Sequence, residues 1–248
     1  MKHLHFFGCS FTAGDELSDD VWFPWKHECT SSEEYYSRRN FYLGIDNNNE
    51  KYRADNKEKA YPAILENNEY KTYNHAMNGA SLRTNIFRAL QLMFSNKPFD
   101  VIFVQVPPSD REFYIFKDGR IGSIQLATVE SWPEPIKSYL RAKLNSHLPQ
   151  QPSVEDGMDM IMLANVAKQK NIPLYFIEFT GEICSRLNDL TCHDFNFIKT
   201  NLHNEINLIS FSDIIDKVLI GGHADLQSHQ EMADKIINML PEMFNLQA

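Results

Sequence analysis

The chain has 248 residues, 43% of them hydrophobic and 23% charged, which is enough for one well-buried domain and does not require a second. A formal charge of −9 offers no dense basic face to neutralise phosphates, so nucleic acid is not expected as a partner. No apolar run approaches the ~20 residues needed to cross a bilayer, so a soluble protein with no membrane partner is expected.

The first predicted strand covers Lys2–Phe7 and ends in Gly8, Cys9, Ser10, Phe11, Thr12, Ala13 and Gly14. A glycine directly after a buried strand lets the backbone turn where a side chain would clash. Ser10 is then carried just past the carboxyl end of the strand, where open α/β sheets place their ligands. Backbone N–H groups at such a turn can receive a developing oxyanion, although a Ser/Thr-rich turn with no chemistry fits the same residues. His3 and His5 alternate along the strand and read as strand histidines rather than ligands. The segment 15–59 is rich in acidic, Asn and aromatic residues, and within it 47–59 is polar enough to be disordered.

A short helix is predicted over Ala60–Glu66 with Pro62 in its first turn, then a strand at Lys71–Asn74. Asn78, Gly79 and Ser81 lead into a helix over Ser81–Phe94, capped by Ser81, with Leu82, Ile86, Ala89, Leu90 and Met93 at helical spacing. The strand Asp100–Val106 runs into Pro107, Pro108, Ser109, Asp110, Arg111 and Glu112, a stretch that also reads as a solvated helix start. It opens a second long segment, 107–151. Both segments leave carboxyl ends of strands and are expected to overhang the edge that carries Ser10, as lids or substrate walls.

A helix over Ser153–Lys170 starts Ser-x-x-Asp and shows Met158, Ile161, Met162 and Val166 at apolar positions. Strands at Pro173–Phe179 and Ile206–Phe211 follow. Gly221, Gly222, His223, Asp225 and His229 then lead into a last helix, Gln227–Phe244, with Met232, Ile236, Ile237 and Leu240 facing inward. The alternation of strands and helices predicts an α/β fold with a mostly parallel sheet covered on both sides. Cys9, Cys29, Cys184 and Cys192 show no CxxC spacing, so reduced thiols in a cytoplasmic protein are expected. His193 with Cys184 and Cys192 has no recognised metal spacing, and no metal or cofactor is expected.

These four motif regions together resemble the SGNH (GDSL-like) hydrolase superfamily, in particular its branch with a Gly-Cys-Ser-Phe-Thr nucleophile motif. The resemblance extends from residue 3 to about residue 240, broken by the two long segments, and covers Tyr61-Pro62 through Leu65 and Asn74 through Ser81. It implies a three-layer, doubly wound, flavodoxin-like sheet of about five parallel strands in one domain, with insertions at 15–59 and 107–151. It further implies Ser10 as nucleophile, His223 as base, and an oxyanion hole from Ser10 and Gly79. The family pattern Gly-x-Asn-Asp after the third strand is replaced here by Pro107, Pro108, Ser109 and Asp110. Ser109 or Arg111 is left to supply a donor, since proline has no N–H. The carboxylate that the family places shortly before its histidine is absent at Ile220 and Gly221, leaving Asp225, Asp213, Asp216 or a backbone carbonyl to orient the ring. Asn78 and Arg111 are candidate substrate contacts, and His229 is expected to pack or cap within the first turn of the last helix. The implied activity is hydrolysis of a small-molecule or glycan ester, such as a carbohydrate O-acetyl or short-chain ester. The alternatives are a glycan- or protein-binding module that has lost the chemistry, or an acyltransferase.

Overall fold

The computed structural model describes residues 1–44, 48–67, 69–107, 111–116, 121–125, 130, 134, 136–146, 151–179, 200, 206–214 and 224–245. Five strands form one parallel sheet: β1 (Lys2–Phe7), β2 (Tyr70–Asn74), β3 (Val101–Gln105), β6 (Leu174–Glu178) and β7 (Asn207–Ser210). Their order is β2-β1-β3-β6-β7. The order reverses at β1, so the crevice between the carboxyl ends of β1 and β3 is the switch point at which doubly wound sheets bind ligands.

Helices cover both faces because β3 and β6 are apolar on both, and β1 adds Leu4 and Phe6 to one face and Phe7 to the other. Phe7, Ile102, Val104, Leu174 and Phe176 pack under α6 (Leu82–Met93) and α8 (Gln151–Gln169). Leu4, Phe6, Val101, Phe103 and Ile177 pack under α5 (Tyr61–Ile64) and the last helix, α9 (Leu226–Asn245). Ser81 caps α6 as expected, its Oγ accepting the Thr84 N–H at 3.2 Å.

Several expectations are corrected. Residues 48–59 form helix α4 (Asn48–Lys59) rather than a disordered stretch, because Tyr52 and Asn56 give a nearly all-polar helix one buried edge. Helix α3 (Ser32–Leu43) and the shorter α2 (Asp19–Trp22) complete that segment. Arg111 and Glu112 lie on a strand, not at a helix start: β4 (Arg111–Ile115) pairs antiparallel with β5 (Ile121–Gln125), and α7 (Ile136–Ser146) follows. Helix α8 begins two residues before Ser153, so that serine lies inside the helix rather than capping it. Its inward face is Met160, Leu163, Ala164 and Ala167, while Met158 and Met162 are exposed. The helix is apolar on more than one side, and contact with α6 decides which side is buried. Ile237 is likewise partly exposed, unlike Met232, Ile236 and Leu240.

A histidine pair sits at the β1–β2 seam. His5 Nε2 faces the Pro98 carbonyl at 3.0 Å, so it carries the proton, and His5 Nδ1 accepts from His75 Nε2 at 2.9 Å. Burial holds both rings at a pKa of about 4, below the ordinary 6.5, helped at His5 by the positive charges of His3 and Lys97 and at His75 by those of His5 and Arg88. The unfolded chain therefore binds more protons than the folded one between about pH 6.5 and pH 4. Stability is expected to be fully present above pH 6.5 and to fall as pH drops toward 4. Urea midpoints measured from pH 7.5 to 4.5 check this, and His75→Phe is expected to flatten the slope.

Candidate active site

Strand β1 ends at Phe7, and the chain turns at Gly8 into the single-turn helix α1 (Ser10–Ala13), whose first residue is Ser10. The turn is locked by Gln105, the last residue of β3. Gln105 Oε1 accepts the Cys9 N–H at 2.8 Å and the Thr12 hydroxyl at 2.7 Å, and its Nε2 donates to Cys9 Sγ at 3.0 Å. With the Thr12 proton used, Tyr61 donates its hydroxyl to Thr12 Oγ1 at 3.1 Å. Both Thr12 and Gln105 are buried. A Cβ on Gly8 would lie 2.3 Å from Thr12 Oγ1 and 2.6 Å from Gln105 Oε1, so the close approach admits only glycine. Gln105 is a residue that sequence reasoning missed. Its signal was one amide at the end of an otherwise apolar strand.

Ser10 is 6% exposed, and the contact of its Oγ is with Cys9 Sγ at 4.0 Å. As the first residue of a helix, its N–H points out of the helix with no intrahelical acceptor. The chain after β2 runs alongside this turn: His75 donates to the Phe6 carbonyl at 2.8 Å and Met77 to the Gly8 carbonyl at 2.9 Å. Asn74 ties the two runs together, its Nδ2 donating to the Thr12 carbonyl at 2.9 Å. Gly79 follows at φ +75° with open space where a side chain would be, so it is the backbone conformation that requires glycine here. Asn78 and Gly79 are exposed at the same edge as Ser10.

The β4–β5 hairpin docks on this loop. Ser123 Oγ accepts the Ser81 N–H at 2.7 Å, and Arg111 Nη1 donates to the Ala80 carbonyl at 3.3 Å. Arg111 is thus brought beside Gly79. From the other segment, Asp15 pairs with Arg39 at 2.5 Å, both side chains being 7% exposed. Tyr52 donates to Asp19 at 2.7 Å, and Tyr35 also donates to Asp19. Burial raises the Asp19 carboxyl pKa despite these two donors.

Asp225 precedes α9, and its Oδ1 accepts both the N–H and the hydroxyl of Ser228 at 2.8 Å, an N-cap arrangement. His229 is fully buried, stacks on Tyr61 and accepts the Tyr61 N–H on Nδ1 at 3.1 Å, so it packs as expected and also holds α5 against α9. Asp213 is exposed and paired with Lys235 at 3.0 Å. His223, Ser109 and Asp216 lie outside the described residues, as do His193, Cys184 and Cys192. Cys9 and Cys29 are free thiols. Among the described residues, no group of three or more His, Cys, Asp or Glu could hold a metal ion, and no helix is long and apolar enough to cross a membrane.

The larger of two notable cavities, about 660 Å³, is lined by Asn171, Pro173, Tyr175 and Asn207 at the amino-terminal edge of the sheet, away from Ser10. A smaller one, about 280 Å³, lies between α1, α4 and the loop after β2.

No protein-family model matches the chain, and comparison with curated proteins finds no match either. Solved structures do match. A protein assigned to the lipolytic G-D-S-L family from Desulfitobacterium hafniense superposes with a TM-score of 0.50 at 9% identity, over 96% of this chain and 99% of that one. The chain shares the parallel α/β fold of that protein. TesA has a TM-score of 0.48 at 13% identity, over 98% of this chain and 99% of its own. The psychrotrophic esterase EstA from Pseudoalteromonas has 0.48 at 10% identity, over 99% and 100%. Within this fold, the crevice at β1 and β3 is where Ser10 stands.

Proposed function

We propose that the protein is a serine hydrolase of carboxylic esters, acting through an acyl-Ser10 intermediate. The observation that carries this reading is the placement of Ser10: first residue of a helix, at the sheet's switch point, on a turn locked by Gln105 and flanked by the Gly79 loop. Few purely structural serines need so rigid a mount for a hydroxyl whose hydrogen-bond partner among the described residues is a sulfur at 4.0 Å.

His223 is the proposed base. It takes the Ser10 hydroxyl proton as Oγ attacks the ester carbonyl carbon, and returns it to the alcohol that leaves. Water then attacks the acyl-serine by the same proton route, releasing the carboxylic acid and free Ser10. Backbone N–H groups of Ser10 and Gly79, with Ser109, are the proposed oxyanion hole, each donor being worth about 3 kcal/mol in the transition state. Asp225 is the proposed carboxylate that orients the histidine, in addition to capping α9. Asn78 and Arg111 are the proposed substrate contacts, on a small-molecule or glycan ester.

Reaction with a fluorophosphonate tests the mechanism directly. One phosphonyl adduct, located on Ser10 by peptide mass, is the expected result. An unlabelled folded protein, or an adduct elsewhere, would overturn the reading.

A further inference from the structure

The cavity of about 280 Å³ beside α1 has a donor-rich lining that the ester chemistry does not use. It is bounded by Ala13 of α1, by Ala76, Met77 and Asn78 of the loop leading to Gly79, and by Arg53, Asn56 and Lys57 on one face of α4, with Asp15 at its side. It therefore shares walls with both the Ser10 helix and the proposed oxyanion loop.

Its charge is one-sided. Asp15 is already neutralised by Arg39 at 2.5 Å. Among the described residues, the partly buried Lys57 donates to the Asn74 carbonyl at 3.3 Å, and neither it nor Arg53 has a carboxylate partner. Burial, together with the like charges of Arg88 and Arg53, disfavours the charged form of Lys57. Asn56 is 2% exposed. Its Oδ1 accepts the Ser18 N–H at 2.8 Å, which fixes the amide orientation, and its Nδ2 has no acceptor among the described residues. A guanidinium and a lysine amine thus line one cavity, and among the described residues no unpaired carboxylate stands beside them. An anion is the ligand that answers both.

We infer that this cavity is a subsite for an anionic oxygen group, a carboxylate or phosphate carried by the substrate, held by Arg53 and Lys57 beside the Ser10 turn. The inference rests on the hydrolase reading for its link to a substrate, but not for the binding itself. It narrows the substrate class to esters that bear a second, negatively charged group.

Titration with succinate and, separately, inorganic phosphate tests the subsite without any turnover. Saturable binding that weakens with added salt is expected, and the Arg53→Gln/Lys57→Gln double variant is expected to weaken it by about tenfold or more. Lys71→Gln, an exposed charge change elsewhere, is expected to leave binding unaltered. Binding of succinate alone or of phosphate alone also supports the subsite and tells which anion it prefers. In parallel, kcat/KM is measured for the 4-nitrophenyl monoester of succinic acid and for 4-nitrophenyl butyrate. The ratio of charged to neutral ester is expected to fall about tenfold in the double variant. Hydrolysis of the neutral ester, with neither anion bound and no change in that ratio, would overturn the subsite and leave the hydrolase standing. Anion binding that the double variant loses, with no ester hydrolysed, would support the subsite and remove the hydrolase. If anions bind equally to wild type and double variant, the subsite is also overturned.

Discussion

Ser10→Ala is expected to fold normally and to lose ester hydrolysis by at least about 10⁴-fold in kcat, the scale on which nucleophile removal acts in serine hydrolases. The two halves of that expectation have separate causes. Among the described residues the Ser10 hydroxyl has one weak hydrogen-bond contact, a sulfur at 4.0 Å, so removing it from this buried position should cost no more than about 1 kcal/mol. Loss of the rate follows because the adjacent thiol cannot take over covalent attack: Cys9 points its sulfur back into the Gln105 amide at 3.0 Å, fully buried. Steady-state kinetics on a 4-nitrophenyl ester and a melting curve on the same sample read both halves. An alanine variant that melts normally and still turns over at the wild-type rate would exclude an acyl-Ser10 intermediate.

Gly8→Ala has the largest expected structural effect of any single methyl addition at the site. The new Cβ would meet Thr12 Oγ1 at 2.3 Å and Gln105 Oε1 at 2.6 Å, and neither atom can retreat without breaking hydrogen bonds. Overpacking costs about 1–3 kcal/mol, and a buried Cys9 N–H or Thr12 hydroxyl left unpaired adds about 1–3 kcal/mol more. A loss of about 3 kcal/mol or more is expected, lowering the melting temperature by roughly 6–12 °C. Activity should fall with it, since the strain is relieved by moving the helix start that carries Ser10. Gly79→Ala is the instructive comparison: its Cβ would meet nothing within 4 Å, so only the φ of +75° opposes it. That penalty is about 1–2 kcal/mol, local to the loop. Equal melting temperatures for the two variants would show that close packing at Gly8 does not hold the turn.

Much of the architecture was legible from residues alone. The five sheet strands were readable, three of them as short apolar runs without strict alternation, and their ends fall within a residue or two of the expected positions. Ser81 and the helix it caps were readable because capping is a local hydrogen bond between neighbours in sequence. What failed was what depends on distant partners. Residues 48–59 look too polar to fold, and they form a helix because Tyr52 reaches Asp19 and Asn56 reaches Ser18 across more than thirty residues. The β4–β5 hairpin was hidden among prolines and glycines, and Ser123 docks it onto Ser81. Helix α8 offered competing apolar stripes, and packing on α6 selected one.

At the site itself, the sequence alone singled out Ser10, Gly79 and the turn between strand and helix, because a tight turn after a buried strand restricts residue types over a few consecutive positions. Only the tertiary structure decided that Gln105, almost a hundred residues away, clamps that turn, and that Arg53, Asn56 and Lys57 wall a cavity beside it. Hydrogen bonds and charges across such separations leave no periodic trace along the chain. They exist only once parallel strand pairing has brought the carboxyl ends of β1 and β3 together.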